Sequence, residues 1–149
     1  MNIHYTTNIL DELISGDILC ITTNGTTKRN GACVMGRGIA LEMKLKAPNV
    51  DFVLGDKIRN NGNIVQHIHT INGIQFLAFP VKHNWWEKAD ISLIKQSMVQ
   101  LNKYLQDLNG EYNKCYLPAP GCGNGKLTWS EVEPVVATDN PKLMIVLKE

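Results

Sequence analysis

The chain has 149 residues, enough for one domain that buries roughly two-thirds of the surface its unfolded form exposes. Hydrophobic residues make up 44% and charged residues 19%, a balance that excludes a disordered tail and a disulfide-stapled peptide. Fifteen basic residues against fourteen acidic ones leave a net charge of +1, so no overall field draws the chain to nucleic acid or anionic lipid, and only a local basic patch is open to it.

Cys20, Cys33, Cys115 and Cys122 have neither paired spacing nor a matching histidine pattern, which argues against a zinc site or a disulfide framework and for reduced thiols in a cytosol. The N-terminus MNIHYTTNIL has no basic region followed by a long apolar run, and the chain has no stretch of eighteen consecutive apolar residues. The expected location is cytoplasmic and the expected state monomeric. No repeat or linker interrupts the chain, so a single domain over 1–149 is expected.

The elements alternate between strand and helix, the pattern of a layered α/β fold. An opening strand is expected over Ile3 to Thr6. Asp17 to Thr23 (DILCITT) reads as a buried strand ending in the loop NGTTKRNGACVMGRG. A helix begins near Gly38, runs through IALEMKLKA and stops before Pro48. Ile64 to Thr70 and Gln75 to Val81 flank Asn72-Gly73, which favours a tight hairpin turn because both residues tolerate positive φ. From Asp90, a plausible N-cap, Ile91, Ile94, Met98, Leu101, Leu105 and Leu108 recur three and four apart until Gly110. A short strand at Lys114 to Leu117 leads into a second glycine-rich loop, PAPGCGNGKLTW, and a last strand follows near Leu143 to Leu147. Pro134 and Pro141 limit helix between them and that loop.

Both glycine loops follow strands. In an open α/β sheet, ligands sit beyond the carboxyl ends of strands, where a loop opening a helix presents free backbone N–H groups to an anion. Met35-Gly36-Arg37-Gly38-Ile39 has that layout: Gly36 and Gly38 let the backbone approach a diphosphate, and Arg37 offers a bidentate contact. One such loop is equally a tight turn. A second, with Gly121, Gly123 and Gly125 alternating, is harder to read as punctuation, because each glycine costs conformational entropy on folding.

Three segments, VMGRGIALEMK at Val34 to Lys44, FPVKHNW at Phe79 to Trp85 and PAPGCGNGKLTW at Pro118 to Trp129, resemble those of macrodomains in the branch that contains terminal ADP-ribose protein glycohydrolase and the DarG antitoxin. The resemblance covers nearly the whole chain. It implies a three-layer α/β/α fold with a mixed central sheet and an ADP-ribose site needing neither cofactor nor metal. Gly36, Arg37, Gly38 and Ile39 would lie on the diphosphate, while Gly121, Cys122, Gly123, Asn124 and Gly125 close over the diphosphate and distal ribose. Gly16-Asp17-Ile18 superficially supplies the family's adenine-binding acidic motif, but using it would consume the strand before the first glycine loop. Asn8 and Ile9, just after the opening strand, are therefore the adenine candidates. Asn24 falls where the family places an asparagine on the distal ribose, with Asn30 as a substitute because TTKRNG lengthens the loop.

Lys82 ends a predicted strand, where a lone lysine is ordinarily solvated. Here Phe79, Pro80, Trp85 and Trp86 surround it in sequence and would favour its amine form by desolvation, and it matches the family's catalytic lysine. The resemblance implies attack on C1″ of the ribose, or stabilisation of the transition state, in the removal of ADP-ribose from DNA or protein. The glycohydrolase's second-loop aspartate aligns with Gly125, so the DarG pattern fits better. His83, beside Lys82, is the one histidine placed for acid–base work, and Trp85 and Trp86 are candidates for stacking on a base. Two rival readings use the same loops: a non-catalytic module that binds or sequesters ADP-ribose or a related nucleotide, and a phosphatase acting on ADP-ribose 1″-phosphate, for which no acid–base pair is evident.

Overall fold

The computed structural model describes residues 1–149. Its elements in chain order are β1 (Asn2–Thr6), β2 (Ile18–Asn24), α1 (Gly38–Lys46), α2 (Val50–Asn61), β3 (Gln66–Ile71), β4 (Ile74–Lys82), α3 (Ile91–Asp107), β5 (Cys115–Pro118), α4 (Trp129–Val136) and β6 (Leu143–Lys148). Single 3₁₀ turns at Ile9–Asp11 and Gly123–Gly125 follow β1 and β5.

The six strands form one sheet in the order β1-β6-β5-β2-β4-β3, in which only β3 runs antiparallel to its neighbour. Side chains alternate across β2 and divide the interior: Ile18 and Cys20 join the core under α3 and α4, and Leu19 and Ile21 join the core under α1 and α2. Helices on both faces of a mixed sheet make the expected three layers. The hairpin between β3 and β4 turns on Asn72 (φ 52°) and Gly73 (φ 77°), the pair of positive values that a type I′ turn needs. Asp90 caps α3, its carboxylate accepting from the Ser92 N–H at 2.9 Å.

Two helices depart from the sequence expectation. The segment VDFVLGDKIRNN forms α2, burying Val50 and Leu54 although Gly55 lies mid-helix. A Cβ at Gly55 would overlap the Gly31 carbonyl oxygen, so glycine lets the helix meet the Thr26–Val34 loop. That loop is held by the Asp51 carbonyl, which accepts from Cys33 N–H at 2.8 Å, and by Arg59 donating to Gly31 O. The restriction placed on the C-terminal segment by proline is also corrected: α4 forms with Pro134 inside it. Thr128 and Glu131 make a reciprocal capping box, and Val132 and Val136 are fully buried, which together offset the N–H that Pro134 withholds from Ser130.

The strand order fixes where a ligand enters. After β2 the chain crosses toward β4, and after β5 it crosses the other way to β6, so the switch point lies between β2 and β5. These strands pair only at Ile18↔Cys115 and Leu19↔Tyr116, whereas β2 stays paired to β4 as far as Asn24↔Lys82. Beyond Leu19 and Tyr116 the sheet opens into a crevice.

Candidate functional site

The crevice widens into a cleft of about 1110 Å³ at the carboxyl ends of the five parallel strands. The structure brings Asn8, Ile9, Asn24, the loop Gly36 to Ile39, Lys82 and the loop Gly121 to Gly125 to its walls. Asn30 is not among them. The inserted segment folds back as a small hairpin, with Lys28 N donating to Ala32 O at 2.8 Å and Asn30 Oδ1 accepting from Ala32 N at 3.1 Å, which leaves Asn30 exposed at the tip and off the cleft wall. The expectation that Asn30 stands in for Asn24 is thus corrected: Asn24 lines the cleft and Asn30 does not.

Asn24 itself shapes the loop. Its Nδ2 donates to Val34 O at 2.9 Å and its Oδ1 accepts from Thr26 N at 3.0 Å, pinning the strand end to the residues before Gly36. An amide holding its neighbours on both sides orders the cleft wall, and any ligand contact draws on its remaining donor and lone pair.

The two glycine loops converge. Gly36 is exposed with nothing within 4 Å of where a Cβ would stand, and at Gly38 (φ 60°) a Cβ would be 3.5 Å from Asn124 Nδ2 on the opposite loop. Gly38 and Ile39, which open α1, line the cleft here, and a helix N-terminus contributes roughly half a positive charge. The glycines of the second loop divide by role. Gly123 (φ 72°) is open, whereas at Gly121 and Gly125 a Cβ would press on Ala89 at 3.0 and 2.9 Å. Those two let the loop lie against the start of α3, where Ala89 N donates to Gly125 O at 3.0 Å.

Lys82 stands where the loops meet. Its Nζ donates to the carbonyl of Asn124 and to that of Trp85, each at 3.3 Å. A bulge at Val81 aims it there, since Thr23 pairs with Pro80 but Asn24 pairs with Lys82. Burial lowers the Lys82 pKa from the ordinary lysine value, and the positive charges of Lys126 and Arg37 lower it further. Burial and then Glu131 push the thiol pKa of Cys122, on the second loop, up, which favours its protonated form.

His83, the candidate acid–base histidine, turns away from the cleft. Its Nε2 meets Asp90 Oδ2 at 2.8 Å at the start of α3. Asp17 lies at the other end of β2, its carboxylate accepting from Ile14 N at 2.9 Å and Asn113 Nδ2 at 2.8 Å. It fastens strand-start loops and does not line the cleft, whose wall beyond β1 holds Asn8 and Ile9. There, Asn8 is exposed beside Ile9, which is buried against the α1 core, and Asn8 Nδ2 donates to Asp11 Oδ2 at 2.8 Å.

Sequence reasoning missed two features. Thr23 lines the cleft floor at 5% exposure, with a hydroxyl that has no partner within the protein. Lys28, Arg37, Lys82, Lys88, Lys126 and Lys148 face the cleft against only Glu42 and Glu87. A chain of net charge +1 thus carries a positive cleft, and residues so far apart in sequence show no charge run to reveal it.

A three-layer sandwich with its sheet switch point roofed by two glycine loops, one of them opening a helix, has the macrodomain fold. The fold matches the macrodomain of Mycobacterium tuberculosis DarG with a TM-score of 0.76 at 23% identity, covering 98% of this chain and 96% of that one. It matches the macrodomain of Thermus aquaticus DarG with a TM-score of 0.75 at 22% identity, covering 100% and 98%. A Thermosipho africanus DarTG chain, solved in complex with ADP-ribose, aligns with a TM-score of 0.70 at 22% identity over 87% of this chain and 38% of its own. No family model matches. In sequence the chain is similar to the DNA ADP-ribosyl glycohydrolase of M. tuberculosis strain H37Rv, 29% identical over 127 residues, which is 80% of this chain. The match spans 35% of the length of that curated relative.

Proposed function

We propose that this protein binds ADP-ribose in the cleft and hydrolyses its bond to a modified acceptor, a DNA base foremost. Adenine would lie against Asn8 and Ile9, the diphosphate on the N-terminus of α1 beneath Gly36 and Gly38, and the distal ribose beneath Gly123 and Asn124. The similarity to proteins named for DNA ADP-ribosyl glycohydrolase and for DarG supports this reading.

The observation that carries it is the Lys82 ammonium at the junction of the two loops, at the distal end of the cleft, with its pKa lowered. In its amine form Lys82 attacks C1″. The C1″–Nζ bond forms, the C1″–acceptor bond breaks, and the leaving base takes up a proton. Water then cleaves the adduct, releasing ADP-ribose and free Lys82. The cationic cleft favours the diphosphate throughout.

A non-catalytic module is the second reading, favoured by Gly125. That position bears no acid, and Ala89 crowds the space a side chain would need. The test is release of ADP-ribose from thymidine-linked ADP-ribosylated DNA and from ADP-ribosylated protein, wild type against Lys82→Ala, with calorimetry on free ADP-ribose. Lysine-dependent release supports the hydrolase and names its acceptor. Binding without release supports the module, and neither binding nor release refutes both.

A further inference from the structure

The cleft does not end at Lys82. Past it the wall continues through Trp85 and Trp86, which are 49% and 64% exposed although they are the largest side chains on this rim. Exposed indoles on a wall made largely of polar loops call for a reason, since burying such a ring against the core would be favourable. The Trp85 backbone is held on both sides: its N–H donates to Thr26 Oγ1 at 3.0 Å, and its O accepts from Lys82 Nζ at 3.3 Å. The rings meet edge to face, with centroids 6.0 Å apart and planes at 87°, which holds one indole against the other and leaves π-faces free. Lys28, two residues from the Thr26 that holds Trp85, and Lys88, two residues past Trp86, also line the cleft.

We infer that Trp85 and Trp86 form the acceptor-side platform, stacking on the nucleobase that carries ADP-ribose while Lys28 and Lys88 meet flanking phosphates of a single strand. The inference rests on the reading above and adds which residues would hold the acceptor base. A group leaving C1″ at Lys82 departs over the residue whose carbonyl holds that lysine. Flat aromatic faces flanked by lysines suit a base and its backbone, whereas an acidic or seryl side chain of a protein acceptor would gain little from two indoles. A duplex is excluded by the same geometry, since a base must be unstacked to lie on a ring.

The experiment uses the Lys82→Ala protein, so that substrate survives, and compares it with versions also carrying Trp86→Ala or Trp86→Phe. Two ligands are titrated: free ADP-ribose, and a short single-stranded oligonucleotide bearing ADP-ribose on a thymine. The expected result is a roughly five- to 150-fold loss of oligonucleotide affinity in Trp86→Ala, the range of base–aromatic stacking, with rescue by Trp86→Phe and unchanged affinity for ADP-ribose. Oligonucleotide binding no tighter than that of ADP-ribose, or an equal loss for both ligands, would overturn the platform. So would an equal loss with an ADP-ribosylated peptide as third ligand, which would make the rim a general acceptor surface. Failure of the underlying reading is seen separately, as absence of ADP-ribose binding in every version.

Discussion

Replacing Gly36 with alanine should leave the protein folded and weaken its hold on ADP-ribose. Nothing lies within 4 Å of the new Cβ, and Gly36 is not among the residues with left-handed φ, so the free protein accommodates the methyl. Such a Gly→Ala change stabilises by about 0.4–1 kcal/mol through the unfolded chain, which at this size raises Tm by about 1–4 °C. With the diphosphate placed as proposed, the methyl would stand between it and the backbone. Overpacking of that kind costs about 1–3 kcal/mol, or a roughly five- to 150-fold loss of affinity. Thermal melts and calorimetry on the same preparation read both numbers. A folded Gly36→Ala protein that binds ADP-ribose like wild type would refute the placement of the diphosphate over this loop, and a fall in Tm would show that the glycine serves the fold instead.

Gly121→Ala should do the reverse: at φ 80° and with Leu127 Cδ1 2.8 Å from the new Cβ, it should lower stability by about 1–3 kcal/mol or more in a denaturant melt. Because burial and neighbouring cations lower the Lys82 pKa, the amine fraction grows as pH rises through that value, so ADP-ribose release should climb with pH and level off below the ordinary lysine range near ~10.4. Lys82→Arg keeps the charge but never supplies an amine; activity surviving in it, together with no adduct trapped by borohydride in wild type, would replace the nucleophile with an electrostatic role. Asn8→Ala should weaken ADP-ribose binding several-fold without changing Tm, whereas Asp17→Ala should cost about 2–3 kcal/mol of stability with binding intact, and the opposite pair of results would restore Asp17 as the adenine ligand.

The sequence by itself determined the parts governed by local rules. The Asn72-Gly73 hairpin, the Asp90-capped α3 and both glycine loops after strands follow from backbone preference and three-four periodicity, which neighbours along the chain enforce. Helix α2 was illegible because Gly55 weakens its local signal, and that glycine is needed only by the loop packed against it. Helix α4 was masked by Pro134, although Thr128-x-x-Glu131 spells its capping box. Only the tertiary structure decided which side chains share the cleft. Asn24 is tied to Val34 while still lining the cleft, His83 is held by Asp90 and Asp17 by Asn113, and Thr23 and six distant cations come together on the cleft wall. A motif states which residue types stand in order along the chain, but the partner of each polar group depends on where the sheet opens and which loops meet across it.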